Sequence, residues 1–393
     1  MPPSWPKAER TMRWLYDPSR TPQTLSVKLL NVSWPLVALV TTIAAVGFAM
    51  LYSAGNGSWH PWAIRQVVRF VVATLVMLAV ALVDIRVWLR AAYGFYAVTM
   101  VLLVAVEVRG AIGMGAQRWI DLGVIQIQPS EFMKIALVLA LARYFNGVSA
   151  EEIGNPLKLI VPALLVLVPA AMVLKQPDLG TATMLVIGGA AMFFLAGVRV
   201  WQFGIVLAAA SAVVPFAWHH LRDYQKNRIL SFLNPENDPL GAGYHSLQAK
   251  IAVGSGGIFG KGYLSGTQAH LSFLPERQTD FIFTILGEEF GLVGGLALLA
   301  LYAVVFVYGY AIAFRSRSHF GRLLAFGITT NLFLYVFINV AMVIGLLPVV
   351  GVPLPLVSYG GTSMLTVMFG FGLLMSVYVH RDIRIGRYGE AET

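Results

Sequence analysis

Acidic side chains stand at the entrance to a long apolar segment within FLPERQTDFIFTILGEEFGLVGG, residues 273–295. Asp280 is the last polar residue before the apolar side chains begin, and Glu276 lies four residues earlier. A carboxylate that is partly removed from water has a raised pKa and can take a proton from a hydroxyl group. Asp280 is therefore the leading candidate for a general base, with helix capping as the alternative. Glu276 is a weaker candidate; we expect Glu289 to face a helix bundle and Glu288 to lie in water.

Further charged groups occur in stretches that are otherwise apolar. In QIQPSEFMKIA, Glu131 and Lys134 are three residues apart, so on a helix they share a face and can form an ion pair. Pairing lowers the cost of burying both charges, and the pair either lines a functional cavity or only orients its helix. In LKQPDLGTA, Asp178 either caps the next helix or joins Glu131 and Lys134 in a buried network.

Arg118 lies in a hydrophilic stretch with the sequence RGAIGMGAQRWIDLGVIQIQPS, residues 109–130. Trp119, Leu122, Val124 and Ile125 alternate there with charged residues. This mixture predicts an amphipathic stretch at a membrane interface. Arg118 then either contacts an anionic headgroup or only helps to anchor the stretch.

A longer hydrophilic stretch carries Lys250 and Arg277 and contains the glycine-rich run SGGIFGKG, residues 255–262. The run does not match a nucleotide-binding loop, because Ser255 stands where that motif needs Gly and Gly262 where it needs Ser or Thr. Its backbone amides remain candidates for contacts with a phosphate group.

The composition shows which kind of protein must position these groups. Of the 393 residues, 58% are hydrophobic and 12% are charged, and the mean hydropathy is +0.72. Soluble domains carry roughly a quarter charged residues, so the chain is predicted to be a polytopic membrane protein. Its net charge of +9 then indicates cytoplasmic loops and no nucleic-acid partner. The lack of cysteine excludes disulfides, iron–sulfur clusters and thiolate metal sites.

The fold class predicted from apolar segments is all-α, with about ten transmembrane helices and a large loop between the seventh and eighth. The third and fourth are shorter than a perpendicular span needs, so we expect them to be bent or shielded. The eighth span proper should start near Gly291, and a short surface piece is expected around residues 25–30. The predicted segments are Pro35–Ala54, Gln66–Val83, Ala91–Val106, Ser130–Tyr144, Leu157–Leu174, Thr181–Val198, Trp201–Trp218, Phe281–Phe314, Leu323–Ile344 and Met364–Val379.

Lys and Arg predict the orientation of these spans. With the N-terminus inside, the inner segments hold sixteen Lys and Arg and the short outer segments hold five. Residues 1–31 and 385–393 are therefore predicted to be cytoplasmic tails of a transmembrane domain, 32–384. The large loop, 219–280, then lies outside, which in a bacterial inner membrane means the periplasm.

Six motifs in this order resemble the SEDS family (shape, elongation, division and sporulation). They are GAQRWIDLG, QPSEFMKIALVLALARY, KQPDLGTA, YHSLQAKIAVGSGGIFGKG, GTQAHLSFLPERQTDFIFTILGEEFGLVG and GVPLPLVSYGGTSML. The resemblance covers residues 65–384, and the GTQ and FLPER motifs are closer to the rod-shape branch than to the division branch. Two positions depart from many relatives, because Gln117 and Gln278 stand where a basic residue or His is common.

The resemblance implies a peptidoglycan glycosyltransferase that polymerises lipid II, a disaccharide-pentapeptide on undecaprenyl pyrophosphate, at the periplasmic face. It implies a class B penicillin-binding protein as the transpeptidase partner, together with other proteins of the elongation complex. The family's essential aspartate falls on Asp280. Its buried charged residues fall on Glu131 and Lys134, and the aspartate of its QPD motif falls on Asp178.

The reaction implied is one inverting displacement, in which Asp280 takes the proton of the attacking sugar hydroxyl. The departing pyrophosphate needs positive charge, for which Lys134, Arg118 and Lys250 are candidates. A divalent cation, Mg or Mn, could also supply that charge. Glu276 and Arg277 complete the predicted substrate-binding set. A lipid II flippase, a division-type polymerase and a scaffold for the penicillin-binding partner are the alternatives.

Overall fold

The computed structural model describes residues 25–113, 116–121, 123, 126–149, 151–220, 226, 230, 232, 242–267 and 276–386. Its helices and strands are α1 (Leu25–Leu30), α2 (Trp34–Ala54), α3 (Ala63–Leu82), α4 (Ile85–Arg109), β1 (Ala111–Gly113), β2 (Ala116–Asp121), β3 (Gln126–Ile127), α5 (Pro129–Gly147), α6 (Pro156–Lys175), α7 (Leu179–Ala196), α8 (Val200–His220), α9 (Ala242–Ser255), α10 (Ile282–Arg315), α11 (His319–Val343) and α12 (Gly361–Val379). Apart from three short strands, the described elements are helical, so the predicted helical fold class is confirmed.

Eight of these helices, α2, α3, α4, α6, α7, α10, α11 and α12, are long and apolar enough to cross a membrane. The protein is therefore an integral membrane protein. The other two predicted spans fall on α5, which carries charged residues, and on α8, whose apolar part is Val200–Ala212. The total of ten spans and their orientation stay predictions.

Local sequence signals explain where several helices begin. Pro129 and Pro156 open α5 and α6, where the missing N–H of proline costs no helical hydrogen bond. Asn155 caps α6, because its side chain accepts a hydrogen bond from Leu157 N at 3.0 Å. Ser318 caps α11 in the same way.

The third and fourth spans differ from each other. The third, α4, has 25 residues, so the prediction of a short span was wrong there. Polar residues near both of its ends, such as Arg86 and Glu107, masked its length in the sequence. The fourth, α5, has 19 residues, and most of them are buried by the helices around it. It is shielded, as predicted, and forms the centre of the bundle.

The predicted amphipathic stretch contains β1, β2 and β3, which form a small antiparallel sheet in which Ile112 pairs with Gln117 and Ile120 pairs with Ile127. Its place at a membrane interface stays a prediction. Aromatic and β-branched residues favour strands, which explains why Trp119 and its neighbours form β2. Of the residues on which the prediction rested, 122, 124 and 125 lie outside the described part.

Helix α10 is broken at Gly291, where the backbone has φ 62° and ψ −158°. Only glycine adopts this conformation without strain. The break divides α10 into a short first segment, residues 282–290, and a membrane span that starts at Gly291, as predicted. Eight of the nine residues in the first segment are buried, from Ile282 to Glu289.

Candidate active site

Asp280 precedes the first segment of α10 and is half-buried. The N-cap of α10 is Phe281, whose side chain forms no capping hydrogen bond. Asp280 therefore lies outside the cap position, and helix capping does not explain it. A Cβ placed on Gly351 would lie 3.4 Å from Asp280 Oδ2, so the carboxylate faces the backbone of the segment between α11 and α12.

Three hydrogen bonds hold the backbone around Asp280. Asn339 on α11 donates to the carbonyl of Asp280 at 2.9 Å. Ser358 donates its hydroxyl to the carbonyl of Thr279 at 2.5 Å. The N–H of Tyr359 donates to the carbonyl of Gln278 at 2.8 Å. Residues 278–280 are thus fixed by two elements that come later in the chain.

Glu276 and Arg277 precede Asp280 in the turn that leads into α10. Glu276 Oε2 accepts a hydrogen bond from Thr279 Oγ1 at 3.0 Å, which closes a tight turn before Asp280. The guanidinium of Arg277 lies 5.8 Å from the ring centre of Trp62. Burial lowers the pKa of Arg277. Their roles in binding substrate stay predictions.

The predicted ion pair on α5 is present. Lys134 Nζ lies 2.6 Å from Glu131 Oε1, and both side chains are buried. Tyr335 on α11 completes the cluster, since its hydroxyl donates to Glu131 Oε2 at 2.5 Å and its ring lies 4.1 Å from Lys134 Nζ. The charge of Lys134 is therefore balanced inside the protein, which weakens its candidacy as a ligand of a pyrophosphate.

Asp178 caps α7. It accepts hydrogen bonds from the N–H of Thr181 at 3.1 Å and from its hydroxyl at 3.0 Å. It also accepts one from Gln128 at 3.2 Å. The predicted capping role is confirmed. Since Gln128 precedes α5, Asp178 is connected to the start of the helix that carries Glu131, but a network of Asp178 with Glu131 and Lys134 stays a prediction.

The two basic candidates in the loops have different surroundings. Arg118 donates hydrogen bonds to the carbonyls of Gln176, at 3.2 Å, and Pro177, so it supports the turn before α7. Lys250 on α9 is exposed, and its stem crosses Gly345 at the end of α11. Lys250 is thus more accessible than Arg118 to an anionic group.

The prediction that Glu288 lies in water was wrong. Glu288 and Glu289 are each 1% exposed. Lys261 Nζ lies 2.7 Å from Glu288 Oε1, and Ser53 on α2 donates to Glu289 Oε1. A carboxylate at the end of a helical segment is easily mistaken for a solvated one, because its partner is distant in sequence.

The glycine-rich run also differs from its predicted role as a phosphate contact. The N–H groups of Lys261 and Gly262 donate to the carbonyls of Glu288 and Glu289, both at 3.0 Å. A Cβ on Gly260, which has φ 81°, would lie 2.1 Å from the oxygen of Glu289. The glycine therefore allows the loop to approach α10 closely.

Sequence reasoning missed Asn339, Ser358 and Tyr335. Each is a single polar side chain within or beside an apolar run. Polar residues inside predicted spans often mark functional positions, which is a signal that could have singled out Asn339 and Tyr335.

Comparison with known proteins agrees with this architecture. The family model FTSW_RODA_SPOVE, described as "Cell cycle protein", matches residues 25–383. The chain belongs to this family. It is 44% identical over 351 residues to the peptidoglycan glycosyltransferase MrdB of Escherichia coli K12, covering 89% of this chain and 94% of that protein. It is 36% identical to the stage V sporulation protein E of Bacillus subtilis, covering 87% and 95%.

Two solved structures are similar over the same part of the chain. One comes from a study of how a peptidoglycan synthase complex coordinates polymerization and crosslinking, with a TM-score of 0.78 and 33% identity. The other is the rod shape determining protein RodA of Thermus thermophilus, with a TM-score of 0.67 and 30% identity. Each comparison covers 89% of this chain and 98% of the solved one.

Proposed function

We propose that Asp280 is the general base of a glycosyl transfer that builds peptidoglycan strands from lipid II. The protein is a peptidoglycan glycosyltransferase of the FtsW, RodA and SpoVE family, and its 44% identity to MrdB supports a role in cell elongation and rod shape. The observation that carries the proposal is the position of Asp280, a half-buried carboxylate on a backbone held by Asn339, Ser358 and Tyr359.

The reaction joins a sugar hydroxyl of an acceptor lipid II to the anomeric carbon of the growing strand. The new carbon–oxygen bond forms as the bond to undecaprenyl pyrophosphate breaks, and the hydroxyl proton passes to Asp280. The donor linkage is α and the product linkage is β, so one inversion suffices. A positioned base contributes about 10²–10⁴-fold to such a rate.

Positive charge near Asp280 would stabilise the departing pyrophosphate. Arg277 lies three residues before Asp280, and Lys250 is exposed, whereas Lys134 and Arg118 are engaged within the protein. A Mg or Mn ion is a further source of charge. In the described part of the chain no three His, Asp or Glu side chains converge, so such an ion would take most of its ligands from the substrate phosphates, as magnesium commonly does.

The active site lies on the periplasmic side of a bacterial inner membrane in this proposal, with both termini in the cytoplasm. The excess of Lys and Arg in the segments that would then be inside supports this orientation. A class B penicillin-binding protein is the proposed transpeptidase partner. The similarity to a solved structure from a synthase complex for polymerization and crosslinking supports that choice.

Incubation of the purified protein and its partner with lipid II in detergent tests the function. Glycan polymer on a gel is expected from the wild-type protein and not from Asp280→Asn. A lipid II flippase would make no polymer in detergent. A protein that is only a scaffold for the penicillin-binding partner would keep its function after the change at Asp280. The absence of polymer from a folded wild-type complex that binds lipid II would refute the proposed activity.

A further inference from the structure

An ion pair between a partly exposed lysine, Lys261, and a buried carboxylate, Glu288, lies at the far end of the helical segment that follows Asp280. Glu288 is 1% exposed, and its Oε1 accepts hydrogen bonds from Lys261 Nζ at 2.7 Å and from Thr267 Oγ1 at 3.1 Å. Removing the carboxylate of Glu288 from water is costly, and an ion pair with a buried member is weak evidence for stability alone. The chemistry proposed for Asp280 does not use this pair, so its burial needs another reason.

The pair sits beside the break in α10. The first segment, residues 282–290, ends at Gly291, where helical hydrogen bonding is interrupted. A helix end leaves carbonyl groups without partners, and the next helix start leaves amides without partners. The glycine-rich loop, residues 256–262, supplies hydrogen-bond partners for the carbonyl groups before the break and for the amides after it. Its four backbone hydrogen bonds with α10 are Lys261 N to Glu288 O at 3.0 Å, Gly262 N to Glu289 O at 3.0 Å, Leu292 N to Gly257 O at 2.9 Å and Val293 N to Ile258 O at 3.1 Å.

Glu289, the residue after Glu288, connects the same segment to α2. Ser53, near the end of α2, donates a hydrogen bond to Glu289 Oε1. The loop and α2 thus hold the C-terminal end of residues 282–290 by hydrogen bonds, while Asn339 holds the backbone at Asp280. The segment is therefore fixed at both of its ends.

We propose that Lys261, Glu288 and Thr267 form a clasp that positions Asp280 for proton transfer. They are positioning residues, and the inference rests on the proposed function. Asp280 and Gly291 are eleven residues apart, which corresponds to roughly 16 Å along a helix. A rotation of about 4° at Gly291 would displace the carboxylate by about 1 Å, given that length. A displacement of this size can cost about 10²-fold in rate.

Three variants test the clasp in the lipid II assay. Glu288→Gln removes the charge with little change in size, Lys261→Met removes the ammonium, and Lys261→Arg keeps a cation for Glu288. We expect the first two to lower kcat by about 10–100-fold, while KM for lipid II changes by less than about threefold. Lys261→Arg should retain most of the wild-type kcat.

Matched controls come from an exposed ion pair, Lys175 with Glu107, at 3.9 Å. Glu107→Gln and Lys175→Met should leave kcat unchanged. Wild-type kcat in Glu288→Gln and Lys261→Met, or a loss that only follows the amount of folded protein, would overturn the clasp. In that case polymer from the wild type and none from Asp280→Asn would leave the proposed function standing.

A second measurement does not depend on activity. The chain has no cysteine, so nitroxide labels at Gln278→Cys and Trp59→Cys report one distance distribution. We expect this distribution to broaden in Glu288→Gln and Lys261→Met and to stay unchanged in Glu107→Gln. An unchanged distribution in Glu288→Gln would overturn the clasp, whether or not the protein makes polymer.

Discussion

Asn339 joins the candidate base to the segment between α11 and α12. Its side-chain amide donates to the carbonyl of Asp280 at 2.9 Å and to the carbonyl of Val352 at 2.7 Å. Asn339 is completely buried, so its amide has no access to water as an alternative partner. One amide group therefore fixes the distance between two loops that meet at the active site.

Substitution of Asn339 should affect both stability and polymerisation. Asn339→Ala leaves the carbonyls of Asp280 and Val352 without this donor, which we expect to lower the free energy of unfolding by about 1–3 kcal/mol. Asn339→Asp should be worse, because a carboxylate would face the same two carbonyl oxygens. Thermal unfolding in detergent and the rate of lipid II polymerisation measure the two effects.

Asn331, eight residues earlier on α11, provides the control. Asn331→Ala should leave the polymerisation rate close to that of the wild type, because this side chain does not hold Asp280. Equal losses of polymerisation rate in Asn331→Ala and Asn339→Ala would show that removing either polar side chain from α11 has the same effect, which contradicts the specific role of Asn339.

Asp280→Asn should reduce polymerisation by about 10²–10⁴-fold, which is the contribution of a general base. The amide has almost the same shape, so the melting temperature should change little. Single-turnover polymerisation of labelled lipid II measures the chemical step directly. Asp382→Asn, at an exposed carboxylate, is the control, and an Asp280→Asn protein with a comparable rate would exclude the base.

The buried pair on α5 should matter for stability in a non-additive way. Glu131→Gln leaves the ammonium of Lys134 buried without its carboxylate, and we expect a loss of about 3–5 kcal/mol. The double variant Glu131→Gln, Lys134→Met should lose less than the sum of the single losses. Unfolding by denaturing detergent measures all three free energies.

An exposed pair sets the scale for that comparison. Lys158 and Glu152 lie 3.8 Å apart at the surface. Lys158→Met should change the unfolding free energy by at most about 1 kcal/mol. Losses in Glu131→Gln as small as those in Lys158→Met would show that the α5 pair is not buried in the functional protein.

His380, after α12, should make stability depend on pH. Burial is the main cause that lowers the pKa of His380, while Ser376 and Asp84 act in the opposite direction and Lys28 and Arg86 add to the lowering. The folded protein then binds a proton less readily than the unfolded chain. Stability should therefore fall as the pH drops below about 6.5, the usual value for histidine.

The melting temperature between about pH 7.5 and pH 5.5 tests this dependence. His380→Gln should show a smaller acid loss than the wild type, whereas His60→Gln, at an exposed histidine, should behave as the wild type does. Equal acid losses in His380→Gln and the wild type would assign the effect to other groups.

Features that depend on local sequence were predictable. The helices, the pairing of Glu131 with Lys134 and the start of the span near Gly291 each follow from a short stretch of residues. The longer α4 was missed, because charged residues at the ends of a span resemble loop residues in composition.

Contacts between distant residues explain the remaining differences. Asn339 and Asp280 are 59 residues apart, and Lys261 and Glu288 are 27 apart. No local pattern of charge or polarity specifies such partners. The same reason applies to the glycine-rich run, whose amides bind α10 instead of a phosphate, and to Arg118, whose partners lie before α7.

The break at Gly291 also separates catalysis from the thickness of the lipid bilayer. A span that is longer or shorter than the surrounding hydrocarbon adjusts by tilting. In α10 such a tilt would have to strain the four backbone hydrogen bonds that join both sides of Gly291 to the glycine-rich loop. We therefore expect the proposed base to keep its position relative to a sugar substrate when the lipid composition changes, because these hydrogen bonds resist movement at the break.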